Sequence, residues 1–60
     1  MALQEKKTEN VLIVDDVVAN LVVLTDIIKK AGYLARPVTS VKQAMDAIEA
    51  KLPDLILLDI

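Results

Sequence analysis

Three aspartates stand at the ends of the two most apolar stretches of the chain. Val11-Leu12-Ile13-Val14 runs into Asp15 and Asp16, and Leu55-Ile56-Leu57-Leu58 runs into Asp59. An aliphatic run that stops at a carboxylate reads as a core strand ending at a site, because ligands of open parallel α/β sheets bind at the carboxyl ends of the strands. If the two strands lie side by side and parallel, the three carboxylates converge. Carboxylates sharing one crevice with no base beside them repel one another, so the cluster asks for a cation.

The elements that must hold these acids follow from periodicity. Val11 to Val14 is the continuous aliphatic run of a strand buried on both faces. From Val17 to Ala31, Leu21, Leu24, Ile28 and Ala31 recur at helical spacing, with Asp26, Lys29 and Lys30 off that line. The valines of this segment are poor helix formers, so packing must hold it. Gly32, the sole glycine, stands where a left-handed residue closes a helix. Tyr33 to Val38 alternates loosely around Pro37, which has no N–H to give a ladder and so marks an edge strand.

Ser40 followed by Gln43 has capping-box spacing and opens a second helix, whose expected buried stripe is Val41, Ala44, Met45, Ile48 and Leu52. Pro53 forces Leu52 out of helical geometry, and the segment from Asp54 to Asp59 is a third strand. The order β-α-β-α-β with right-handed crossovers predicts an α/β doubly wound parallel sheet. Placing the two acid-ended strands together, with the proline-bearing strand outside, gives strand order 2-1-3 and puts the acids at the switch point of the winding.

Composition narrows the function classes. The chain has 60 residues, a net charge of -2 and a hydrophobic content of 55%, with Tyr33 as its only aromatic residue. That is one small aliphatic-cored domain, too apolar for disorder. It carries no basic face for nucleic acid, so no nucleic-acid contact is expected. No apolar run approaches the roughly 18 to 20 residues of a membrane span, and residues 1–9 read as a flexible polar leader without a signal peptide's apolar stretch. The expected location is cytoplasmic and away from the membrane. The chain lacks cysteine and histidine, which removes disulfides and the usual structural zinc; oligomerisation is the staple that remains.

Leu12-Ile13-Val14-Asp15-Asp16, the helix with Asn20 and Leu24, the helix start from Ser40 to Ala44, and Pro53-Asp54-Leu55-Ile56-Leu57-Leu58-Asp59 together resemble the receiver domain of two-component response regulators. The resemblance covers residues 10–60. It implies a flavodoxin-like fold truncated to its first β-α-β-α-β, the N-terminal half of a receiver. It also implies that Asp59 is the phosphoacceptor, that Asp15, Asp16 and Asp59 hold Mg²⁺ or in its place Mn²⁺, and that Asp16 is the more direct ligand, Asp15 acting partly through water. Such a domain assists its own phosphorylation but is not an enzyme in the usual sense. With no histidine in the chain, the phosphoryl group must come from outside, from a sensor histidine kinase, a phosphotransfer protein or a small phosphodonor. The pattern's carbonyl ligand two positions past Asp59, its switch Ser or Thr and its phosphate-contacting Lys have no match in residues 1–60.

Plainer roles stand beside these. Asp16 is also placed to cap the first helix, Asp54 to serve a turn beside Pro53, Lys29 and Lys30 to complement a helix dipole, and Met45 to fill core. Asn20 either faces the acidic pocket or is an ordinary exposed helical residue. A different class of function is also open. Leu55 to Leu58 forms an apolar sheet edge, a template for pairing, so a self-associating module is the alternative, a homodimer or a complementary receiver half joining through the strand edge over residues 55–59.

Overall fold

A computed structural model of the chain describes residues 9–59. The leader expected over residues 1–9 lies, apart from Glu9, outside the described residues. The elements are β1 (Asn10–Asp15), α1 (Val18–Lys30), β2 (Leu34–Val38), α2 (Val41–Ala50) and β3 (Leu55–Asp59). They build a three-stranded sheet in the order β2-β1-β3, and β1 pairs in parallel with both neighbours. The fold is α/β with the predicted strand order.

β1 is central and buried at every residue, and its alternation divides the core in two. Val11 and Ile13 meet Leu21 of α1 on one face, with Leu24, Ile28, Ala35 and Leu57 around them. Leu12 and Val14 meet Ala44 of α2 on the other, with Val38, Ala47 and Ile48. One helix on each face is the doubly wound arrangement, and both helices rest on β1 and β2.

Local chemistry sets the ends of these elements. Gly32 takes φ 95°, a conformation costly for any residue with a Cβ. That turn lets the Gly32 N–H reach Lys29 O at 3.0 Å and the Tyr33 N–H reach Ile28 O at 3.2 Å, closing α1. Ser40 Oγ accepts from the Gln43 N–H at 3.1 Å, as capping-box spacing requires. The Gln43 side chain reaches one residue further back than that motif prescribes, taking the Thr39 N–H at 2.8 Å.

The predicted stripe of α2 needs correction. Ala44 is buried and Ala47 and Ile48 half-buried, but Val41, Met45 and Leu52 are exposed. The helix sits over β1 and β2, so only the centre of its apolar arc finds a strand beneath it, and Leu52 lies beyond its end at Ala50. Ala31 is exposed for a related reason, standing at the C-cap of α1 where the chain leaves the sheet. Among the described residues, no helix is long and apolar enough to cross a membrane.

Candidate functional site

Asp15 is the last residue of β1, and its register partner across the ladder is Asp59, the last residue of β3. Neighbouring strands run roughly 4.8 Å apart, so the two carboxylates leave the sheet side by side. Strand alternation puts Asp15 in phase with Val11 and Ile13, on the face that α1 covers. Together with Asn20, Val23 and Leu24 of α1, the two acids line a cavity of about 360 Å³.

Asp15 is 2% exposed. Its Oδ1 accepts from the Val17 N–H at 2.9 Å, a local turn that carries the chain from β1 into α1. Its Oδ2 is buried with no hydrogen-bond partner. A carboxylate oxygen removed from water without a partner is costly, and such an atom in a native fold calls for an explanation such as a bound ion. Asp59 is exposed and reachable from solvent. The wall of the cavity contains no lysine or arginine. A larger groove of about 750 Å³ runs along α1 past Val18, Val22 and Pro37, but neither Asp15 nor Asp59 lines it.

Asp16, the next residue, does not share this burial. It is exposed in the bend after β1 and does not line the cavity. Nor does it cap α1, whose N-cap is Val17 with no side-chain cap hydrogen bond; Asp15 shapes that entry. Asp15 shares the parity of Val11 and Ile13 and Asp16 does not, but both faces of β1 are buried, so parity along the sequence does not say which acid faces the site. Among the described residues, no three His, Cys, Asp or Glu side chains are grouped to hold a metal. What the fold assembles is a pair of carboxylates with an amide beside them.

That donor set suits a hard divalent cation, which takes one or two carboxylates with other oxygen ligands, and the unpartnered Asp15 Oδ2 supplies a lone pair for it. No protein-family model, curated protein or solved structure matches the chain. The site is therefore read from its own geometry.

Proposed function

We propose that the chain is a phosphoacceptor receiver of a two-component phosphorelay, with Asp59 as the residue phosphorylated. The observation that carries this reading is the pairing of Asp59 with Asp15 across the carboxyl ends of adjacent strands, with Asp15 Oδ2 buried and unpartnered. Mg²⁺ held by Asp15 and Asp59 would offset the charge of an incoming phosphoryl group and leave positions for its oxygens. Asp15 is held by the Val17 N–H and serves as the fixed ligand. Asp59, exposed, would be the nucleophile: a carboxylate oxygen attacks phosphorus, the bond from phosphorus to the donor's imidazole nitrogen, or to the carboxylate oxygen of a small acyl phosphate, breaks, and an acyl phosphate forms on Asp59. Asp16, exposed and next to Asp15 along the chain, adds negative charge near it. The donor is a phosphohistidine on a sensor kinase or phosphotransfer protein, or a small acyl phosphate.

Incubation with acetyl phosphate and Mg²⁺, followed by intact-mass measurement, tests the proposal. Addition of one phosphoryl group, lost in Asp59→Asn, is the expected result. Labelling should be slow, because the cavity wall supplies no cation and loss of one such charge-stabilising group typically costs on the order of 10²-fold or more in rate. Phosphorylation undiminished in Asp59→Asn would end the reading.

Self-association through β3 is a second reading with its own observation. Leu55, Ile56 and Leu58 are 53%, 45% and 66% exposed, and β3 has a neighbour on one side only. The opposite edge, β2, carries Pro37, a residue that blunts edges; β3 has no such device. A second copy pairing antiparallel across a two-fold axis would extend the sheet to six strands. Sedimentation over a concentration series should show a dimer that Ile56→Lys disperses, and a folded monomer at high concentration would refute it.

A further inference from the structure

We infer that Asn20 supplies the third oxygen of a divalent-cation site whose other two protein ligands are Asp15 and Asp59, either directly or through a metal-bound water. This deepens the phosphoacceptor reading and rests on its claim that the acidic cavity holds a cation. The cavity draws oxygen-bearing side chains from three elements: Asp15 from β1, Asp59 from β3 and Asn20 from the first turn of α1. Its remaining wall, Val23 and Leu24, is aliphatic and offers no ligand. The other acid expected at this site, Asp16, is outside the wall. If the cation has a third protein side chain, Asn20 is the one in place.

The chemistry favours an amide there. Hard cations accept the carbonyl oxygen of Asn alongside carboxylates. Two carboxylates balance a divalent charge, so a neutral third ligand completes the site without leaving a net negative cluster. The position is also held firmly: the Asn20 backbone N–H donates to Val17 O at 3.0 Å, and the Asp15 side chain accepts from the N–H of that same Val17. Ligand and helix start are thus fastened to one turn, and the first turn of α1 contains no acidic residue to compete for the ion.

Mn²⁺ titration of the full 60-residue chain, read by water-proton relaxation and by broadening of amide signals, tests this without reference to phosphorylation. Asn20→Ala should weaken Mn²⁺ binding by about 10- to 100-fold, the range for losing a group that orients or completes a metal site. Asn20→Asp, which keeps an oxygen and adds charge, should tighten it. Asn20 is exposed, and both variants should retain the wild-type circular dichroism spectrum. Mn²⁺ affinity unchanged in both variants would overturn the role of Asn20 while leaving the acidic site standing. Binding that survives Asp15→Asn and Asp59→Asn would instead overturn the site itself.

Discussion

The two ends of the sheet each bury a polar residue of β1, and they treat it in opposite ways. At the amino end Asn10 is 4% exposed and engaged by both its backbone and its side chain: its N–H donates to Asp54 Oδ2 at 2.7 Å, its carbonyl accepts from the Asp54 N–H at 2.8 Å, and its Oδ1 accepts from Arg36 at 3.0 Å. Arg36 continues the network, donating to the carbonyl of Lys51, the C-cap of α2, at 2.9 Å and to Ala47 O in its last turn. At the carboxyl end Asp15 uses one oxygen and leaves the other unpartnered. Such a network is a clamp, joining β1, β2, α2 and the residue before β3. An open one holds spare coordination capacity, which is what a binding site needs and a clamp must not have.

Charge sharpens the contrast. Arg36 and Asp54 bring both signs of charge to Asn10 at the amino end, whereas Asp15 and Asp59 pair at the carboxyl end with no cation in the cavity wall. The first end draws its partners from within the chain; the second leaves Asp15 Oδ2 without one.

The largest effect should come from opening the clamp. Arg36→Ala leaves Asn10 Oδ1 and Lys51 O without the guanidinium donor and removes one of the two donors to Ala47 O, and loss of these partly buried, charge-assisted bonds should cost about 2–4 kcal/mol. A chain of 60 residues has only about 3–9 kcal/mol of net stability at typical per-residue values, so urea denaturation should show most of the chain's stability gone. A change below about 0.5 kcal/mol would mean that the two ends do not differ as described.

Next in size is the response to metal. A ligand that binds only the folded state at 100 times its dissociation constant stabilises by about 2.7 kcal/mol; saturating Mg²⁺ should therefore raise the thermal midpoint of the wild type, and Asp15→Asn should abolish the rise. An equal rise in both proteins would move the site away from Asp15.

The smallest effect distinguishes the two buried polar residues most directly. Without metal, Asp15→Asn retains an oxygen for the Val17 N–H and removes an uncompensated buried charge, so stability should hold or increase by roughly 1 kcal/mol. Asn10→Ala, at the other end, should destabilise by about 1–3 kcal/mol because it removes one of the three acceptors of the Arg36 guanidinium at a buried position. Denaturation curves of the two variants side by side, with opposite signs, would support the contrast; a loss at both positions would break it.

Much of the frame was legible along the chain because its determinants are local. Continuous aliphatic runs marked β1 and β3, the Ser40 and Gln43 spacing marked the start of α2, Gly32 marked the end of α1, and Pro37 placed β2 at an edge. These are effects of backbone sterics and of hydrogen bonds a few residues long, so composition and spacing carry them. The burial of α2 was less legible, since periodicity reveals an apolar arc but not how much sheet lies beneath it; Val41 and Met45 are exposed for that reason.

The sequence by itself determined the order of strands and helices, the 2-1-3 arrangement, and the placing of Asp15, Asp16 and Asp59 at strand ends. Tertiary structure alone decided which of the adjacent acids is buried against α1, that Asn20 shares a cavity with Asp15 and Asp59, and that Asn10, Arg36 and Asp54 form one network, with Asn10 and Asp54 bonded across 44 positions of sequence. The physical reason is range. A turn or a cap is decided by neighbours along the chain, whereas the fate of a buried polar atom depends on which distant donors the packed sheet brings within reach, and that is set only when the strands have paired.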